Sequence, residues 1–360
     1  QPDADRYGDA GSHTLAHVCR AARPALPHLA RLGLGRCADL PGVPAEPRPR
    51  AHYGRMQEVS AGKDSTTGHW ELAGLRLDAP FPTYPAGFPP EVIDAFVAKT
   101  GCGAVLGNRP ASGTAIIHEL GPEHETTGHP IVYTSADSVF QIAAHEDVIP
   151  IGRLYELCRT AREEVCVGEH AVGRVIARPF VGTPGAYTRV SEARKDFSRL
   201  PDRPPLQDVL QQHGVRTVSI GKIYDLFGRT GFDRAVKTKS NADGLRATLE
   251  QIRACDGTPT FVWTNLVDFD QEYGHRNDPD GFARALEAFD RAVPELLDAL
   301  PEDAHLVVTA DHGNDPTTPS TDHSREYVPL LYVTPASRDE GGRDLGLRAS
   351  ETRGTPFRLE

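Results

Sequence analysis

The 360-residue sequence is short of several things, and each shortage excludes something. It holds one methionine, Met56, and opens on Gln1, so it is read as processed or as lacking its beginning. No apolar run approaches the ~18 residues that a membrane-crossing helix needs, so no transmembrane helix is expected. Residues 1–30 carry no basic stretch followed by an apolar one, so no signal peptide is read as written. The six cysteines (19, 37, 102, 158, 166 and 255) make no CxxC pair. That argues against a cysteine zinc site or a disulfide framework, and for free thiols in a reducing cytoplasm. Basic residues number 39 against 50 acidic ones, a net charge of −11. That excess argues against a general binder of nucleic acid or of anionic membranes.

Familiar catalytic motifs are missing too. Gly62-Lys63 is followed by Asp64 rather than Ser or Thr, and position 57 is Gln rather than Gly, so this is not a Walker loop. His118 and His145 each precede a glutamate but lack the second histidine of a zinc-protease helix. No GxSxG nucleophile elbow occurs, and no GxGxxG stands at a strand–helix junction. Gly and Pro are numerous (34 and 30) but show no period, which excludes a collagen-like chain.

What is present is an alternation of strand-like and helical patterns in a chain long enough for about two domains. Phe261–Val267, His305–Ala310 and Tyr327–Val333 read as buried strands ending in polar loops. Phe282, Leu286, Phe289, Val293, Leu296 and Leu300 recur at steps of 3 and 4, the pattern of a helix packed on one face. Leu245, Leu249 and Ile252 mark another helix, with Ser240 or Asn241 as its N-cap. Strand–helix–strand order predicts an α/β domain with a mainly parallel sheet and helices on both faces. Ligands in such sheets sit at the carboxyl ends of strands, so the loops after 267 and 310 are where chemistry is sought.

Two proline-rich stretches divide the chain. Asp78–Pro90 holds five prolines and Ser198–Pro205 holds three. Between them, strands are expected near Ala104–Leu106, Pro130–Thr134 and Val175–Val181, and helices near Glu91–Lys99 and Arg153–Glu164. The expected organisation is an inserted α+β domain over 84–200, with 1–83 and 201–360 forming one discontinuous core domain.

The last third concentrates metal-type ligands. Asp268, Asp270 and His275 follow one strand, Asp311 and His312 follow another, and Asp322 and His323 come shortly after. Mixed carboxylate and imidazole donors suit Mn²⁺, Zn²⁺ or Fe²⁺ better than Mg²⁺ or Ca²⁺. Five or six of them on strand ends suggest two ions, able to clamp both oxygens of a transferring phosphoryl group. A second motif, Gly62 to Glu71 (GKDSTTGHWE), offers three adjacent hydroxyls on Ser65, Thr66 and Thr67. A hydroxyl needs a base or a metal to become a nucleophile. Ser65 or Thr66 also fits the N-cap of a helix, and a helix N-terminus favours a phosphate.

The longest stretches carry a resemblance. GKDSTTGHWELAG (62–74), GNRPASGTAII (107–117), YTSADSVFQIAAHE (133–146), GRVIARPFVG (173–182), SIGKIYDLF (219–227), NLVDFDQEYGHRND (265–278) and TADHGNDPTTPSTDHSREYVPLL (309–331) are similar to the phosphopentomutases. These belong to the alkaline-phosphatase-like metalloenzyme superfamily, and the likeness extends over nearly the whole chain. It implies an alkaline-phosphatase-like α/β core with an inserted α+β cap that contacts the sugar phosphate. One metal would be held by Asp311, His312 and an aspartate expected, with the family's first strand, just before residue 1. The other would be held by Asp270, His275 and His323. Ser65, which stands where the family usually has Thr, would be the phosphorylated nucleophile, with Thr66 and Thr67 beside it. Ser135, Asp137 and Arg174 of the cap and Lys222 of the core lie in matching stretches as substrate-binding residues. Arg189 and Arg194 join them by their chemistry.

The cofactors implied are two divalent ions, Mn²⁺ foremost, and a sugar bisphosphate primer. The activity implied is an isomerase's: exchange of a phosphoryl group between C1 and C5 of ribose or 2-deoxyribose, in the cytoplasm, with no nucleic acid, membrane or protein partner inferred. The alternatives are a metal-dependent phosphatase, another phosphomutase of the superfamily, or an inactive truncated relative. The likeness fades after Arg348.

Overall fold

A computed structural model describes residues 1, 3–135 and 137–345. The tail beyond Arg348, where the resemblance fades, lies outside the described residues. The chain opens with helices α1 (Thr14–Ala22), α2 (Pro27–Leu32) and α3 (Leu34–Cys37), then strand β1 (His52–Gln57) and helix α4 (Ser65–Leu72). There follow α5 (Pro90–Thr100), β2 (Leu106–Pro110), α6 (Gly113–Thr127), β3 (Ile131–Thr134), β4 (Val139–His145), α7 (Ile151–Thr160), β5 (Arg174–Val181), β6 (Thr188–Arg189) and β7 (Lys195–Ser198). The chain continues through α8 (Leu206–Gln212), β8 (Arg216–Ile220), α9 (Ile223–Leu226), β9 (Arg234–Val236), α10 (Asn241–Arg253) and β10 (Thr260–Thr264). It closes with α11 (Pro279–Ala299), β11 (Leu306–Val308), β12 (Tyr327–Val333) and α12 (Pro335–Glu340).

These elements form two compact units. The first comprises Gln1–Asp78, Arg203–Tyr224 and the chain from Thr230 on; the second comprises Ala79–Asp202 and Asp225–Arg229.

The first unit contains two three-stranded sheets. In one, β8 lies between β10 and β9 and all pairings are parallel. In the other, β12 lies between β1 and β11 and both pairings are antiparallel. The expected buried strand around Phe261 is instead half-buried along its whole length as β10, because it has a hydrogen-bonded neighbour on one side only among the described residues. The helical stripe is seen as α11, whose Phe282, Leu286 and Val293 bury themselves against Val18, Leu29 and Leu32 of α1 and α2 and against Leu331 and Val333 of β12. Each such side chain contributes about 1.5–3 kcal/mol when fully buried. One acid inside this packing has a specific partner: Asp290 of α11 accepts from the backbone N–H of Leu29 at 2.7 Å and of His28 at 3.3 Å. It thereby satisfies orphan donors at the start of α2. Ser240 is the N-cap of α10, taking a hydrogen bond from Asp243 N at 3.2 Å.

The second unit is built on a six-stranded mixed sheet, ordered β2-β3-β4-β5-β6 with β7 also on β5. Helices α5 and α7 cover one apolar cluster, in which Val92, Phe96, Leu154 and Leu157 meet Phe140, Ile142 and Val175. Helix α6 covers another, in which Ile116 and Ile117 meet Ile131, Tyr133 and Phe180. Strand β4 is buried at every position, so its sequence VFQIAAH shows no alternation. The helix expected over Arg153–Glu164 is α-helical over Ile151–Thr160 and then widens into a π turn at Ala161–Val165. All six cysteines are free thiols. Among the described residues, no helix is long and apolar enough to cross a membrane.

Candidate active site

The site in the first unit starts at the beginning of α4. Its N-cap is neither Ser65 nor Thr66, the two expected, but Asp64, whose carboxylate accepts from Thr66 N at 3.0 Å and Thr67 N at 3.1 Å. Asp ranks with Ser as the best of the caps. The consequence is a division among the three hydroxyls. Thr67 is buried and donates its Oγ1–H back to Asp64. Ser65, released from capping duty, stands with its Oγ 3.1 Å from His312 Nε2. Among the described residues, Thr66 has no such side-chain contact.

The packing that brings this turn to the loop after β11 depends on Gly68. A methyl group there would lie 2.1 Å from the carbonyl oxygen of Asp311, so only glycine fits. One residue on, His69 places Nδ1 3.0 Å from Asp311 Oδ2 and 2.8 Å from the Ser65 carbonyl, with its ring stacked on Trp263. Asp311 in turn lies 3.2 Å from His312 Nε2. Burial alone would lower the His312 pKa, but the Asp311 carboxylate outweighs it and holds the imidazole up at about 9. Burial would likewise raise Asp311, yet His312 and His69 keep it well below the usual carboxylate range.

A second cluster lies against the first. Asp270 Oδ1 is 3.1 Å from both His275 Nε2 and His323 Nε2. One ligand atom from each of these three residues lies within 4.8 Å of the others, a set able to hold a metal ion. His275 Nδ1 is tied to the Thr321 carbonyl at 2.6 Å, which turns Nε2 toward Asp270. Asn314 donates to Asp270 Oδ1 at 3.1 Å and Lys222 Nζ lies 3.4 Å from Oδ2. Burial pushes the Asp270 pKa up, but the His323 hydrogen bond and the nearby His312 and Lys222 charges reverse that and hold it far below the ordinary value. The His312 and His323 rings are 3.8 Å apart, so the two clusters are continuous.

Two acids named with these ligands serve elsewhere. Asp268 exchanges hydrogen bonds with Asn241, at 2.8 and 2.9 Å, at the start of α10. Asp322 pairs with Lys63, whose Nζ also grips both carboxylate oxygens of Asp9 at 3.0 and 3.1 Å.

Sequence reasoning missed Arg325. It is 2% exposed and stands two residues from His323. Its guanidinium meets Asp3 at 3.1 Å, Glu58 at 3.2 Å and the Gly62 carbonyl at 2.9 Å, while its backbone N–H donates to Asp9 at 2.9 Å. Tyr7 lies under the guanidinium. The loop that carries His323 is thus tied to the loop that leads into Ser65. Only the Gly62-Lys63 stretch and the TDHSRE segment hinted at this in sequence, and neither names its partner.

In the second unit, Asp137 N donates to Ser135 Oγ at 3.3 Å, and Arg174 lies 3.6 Å from Asp137 and 3.5 Å from Asp196. Arg194 joins them through a two-pronged pair with Asp196 at 2.7 and 2.8 Å. Arg189 is exposed on β6 and makes none of these contacts.

Acids and imidazoles gathered at strand ends of an α/β unit define a metalloenzyme, and the family model described as the Metalloenzyme superfamily matches residues 4–353. The fold of the chain is the mixed α/β one of that superfamily. More narrowly, the chain belongs to the phosphopentomutase family. It is 53% identical to the phosphopentomutase of Caldanaerobacter subterraneus subsp. tengcongensis, over 96% of this chain and 86% of that one. It is 52% identical to that of Deinococcus radiodurans, over 99% of this chain and 93% of that one. Among solved structures it is similar to an alkaline phosphatase from the Antarctic bacterium TAB5, at 12% identity and a TM-score of 0.32, covering 89% of this chain and 91% of the other. Membership makes the chain an enzyme of the isomerase class that binds divalent metal, and the compact Asp270–His275–His323 set fits such an ion by donor type.

Proposed function

We propose that this enzyme interconverts the 1-phosphate and 5-phosphate of ribose or 2-deoxyribose, with Ser65 as the carrier of the phosphoryl group. The observation that carries the reading is the separation of the three hydroxyls: Ser65 alone faces His312 and the ligand clusters, while Thr67 is spent on Asp64. Ser65 is also the first residue of α4, and a helix N-terminus stabilises an attached phosphoryl group. Asp270, His275 and His323 would hold one divalent ion, and Asp311 and His312 a second. Their mixed donors favour Mn²⁺. When bound, such ions stabilise charge on a transferring phosphoryl group and lower the pKa of a nearby hydroxyl.

In the reaction, a sugar bisphosphate first loads Ser65. The sugar hydroxyl oxygen of an entering pentose phosphate then bonds to phosphorus as the bond from phosphorus to Ser65 Oγ breaks, and the hydroxyl's proton ends on Ser65 Oγ. The resulting bisphosphate turns around, and its other phosphoryl group returns to Ser65. Lys222, beside Asp270, adds positive charge close to the transferring group. We assign the second unit as the cap: Ser135, Asp137, Arg174, Arg189 and Arg194 bind the sugar phosphate and exclude water, which would divert transfer to hydrolysis. Substrates of this kind place the work in the cytoplasm.

The test is a coupled assay with ribose 1-phosphate, Mn²⁺ and a trace of sugar bisphosphate. Ribose 5-phosphate should form with little release of inorganic phosphate. Release of phosphate as the main product would overturn the mutase reading in favour of a phosphatase.

A further inference from the structure

The start of α1 is tied to the loops of the site by an acid far along the chain. Thr14 is the first residue of that helix, so its backbone N–H has no acceptor inside it. Glu326 supplies one, taking Thr14 N at 2.8 Å on Oε2. The other carboxylate oxygen takes two hydroxyls, Thr14 Oγ1 at 2.8 Å and Ser324 Oγ at 2.7 Å. All three residues are buried. Burial pushes the Glu326 pKa up, and the three donors work against it by favouring the ionised form.

This carboxylate fixes more than two side chains. An ionised carboxylate only accepts, so both hydroxyls point their hydrogens at it and turn their lone pairs outward. Those lone pairs receive two successive amides: Asn314 N donates to Thr14 Oγ1 at 3.0 Å, and Asp315 N donates to Ser324 Oγ at 3.3 Å. The loop after β11 lies directly on the carboxylate, since a methyl group on Gly313 would lie 2.6 Å from Glu326 Cδ. Asn314, whose backbone is held in this way, is the residue that donates its Nδ2–H to Asp270 Oδ1 at 3.1 Å. Its own Oδ1 is buried without a hydrogen-bond partner. The amide is therefore kept in place by its backbone anchor and by Gly274, where a methyl group would lie 2.5 Å from Asn314 Cγ.

We propose that Thr14 and Glu326 are positioning residues of the site: they set Asn314, whose side-chain amide orients the Asp270 carboxylate for a divalent cation. The proposal rests on the reading that Asp270, His275 and His323 hold that ion. Thr14 stands 256 residues before Asp270 in the chain and acts on it only through Asn314. Outer partners that orient a ligand are worth about 10–100-fold in metal affinity.

The experiment is calorimetric titration of the full chain, stripped of metal with a chelator, with Mn²⁺ alone as the probe. Asp270→Asn marks the binding step that belongs to this ligand set. Asn314→Ala should weaken that step by about 10–100-fold, and Thr14→Val, which keeps the shape and loses the hydroxyl, by about tenfold. Glu326→Gln, which sets a donor among three donors, should match Thr14→Val. Thr14→Ser keeps the hydroxyl and loses the methyl, and should bind like the unaltered chain; a role in packing alone would reverse the order of the two Thr14 variants. Because Thr14 acts through Asn314, adding Thr14→Val to Asn314→Ala should weaken the step no further. Thermal melting checks that each variant is folded, and Asn314→Ala decides alone where Thr14→Val does not fold. A step lost in Asp270→Asn but unchanged in folded Asn314→Ala, or weaker in Thr14→Ser than in Thr14→Val, overturns the positioning role and leaves the metal reading standing. If no step responds to Asp270→Asn, the metal reading fails and the proposal with it.

Discussion

The two units collect opposite kinds of charge. The first brings Asp270 and Asp311 together with four imidazoles, those of His69, His275, His312 and His323. The second brings together Arg174, Arg178 and Arg194, with Asp137 and Asp196 paired to Arg174 and Asp196 also to Arg194. Carboxylates whose pKa is held low by neighbouring positive charge are prepared for a cation, and guanidiniums that outnumber the acids beside them are prepared for an anion.

That contrast can be broken at its catalytic centre first. Ser65→Ala should lower mutase turnover by more than about a thousandfold while metal content, read by elemental analysis, stays unchanged. Loss of metal along with activity would mean that Ser65 acts through the ligand cluster and not as a carrier. Next comes the cation side. Asp270→Asn leaves two imidazoles without their shared carboxylate, and metal affinity by titration should fall by at least about a hundredfold, since even outer partners of ligands cost about 10–100-fold. Affinity within a factor of a few would separate Asp270 from metal binding.

The frame around the cluster gives a stability effect. Arg325→Leu leaves Asp3 and Glu58 facing an apolar side chain, and because burial already pushes the Glu58 pKa up to about 8, the loss is that of hydrogen-bond partners, about 1–3 kcal/mol. Urea unfolding should register that loss, and a change under 1 kcal/mol would make the network dispensable. The smallest effect is one of pH. With metal chelated, His312 has a folded pKa of about 9 against an ordinary value of about 6.5. A raised imidazole pKa contributes its full stability below the unfolded value and loses it as pH climbs to the folded one. The melting temperature of the metal-free chain should therefore fall between about pH 6.5 and 9, and His312→Gln should flatten that fall. An equal slope in the variant would contradict the Asp311–His312 pairing.

Much of this was legible in the sequence, for reasons particular to each element. Helix α11 announced itself because one face is buried and one is wet, so Phe282, Leu286 and Val293 recur at helical steps. Strand β4 did not, because both its faces are covered and the alternation vanishes. Strand β1 carries HYGRMQ with a single buried residue, too polar to be told from loop. The candidate ligands Asp270, His275, Asp311, His312 and His323 stood out as residue types after strands. His69 was missed although it lies one turn after Ser65 on the same helix face, because only the fold shows Asp311 above it. The cap assignment went to Asp64 because the sequence offers three adjacent candidates and only backbone geometry chooses between them. Arg325 was silent because its role depends on hydrogen-bond partners 263 to 322 residues distant, and no local pattern encodes them.

The carrier role of Ser65 is tested most directly by mapping the phosphoryl group itself. The chain is incubated with Mn²⁺ and a sugar bisphosphate, digested, and sequenced by mass spectrometry over the peptide that spans Lys63 to Glu71. Phosphate on Ser65, absent from Thr66 and Thr67, is the result the geometry predicts. Phosphate on Thr66 or Thr67, or a loaded and active chain with Ser65 unmodified, would contradict it.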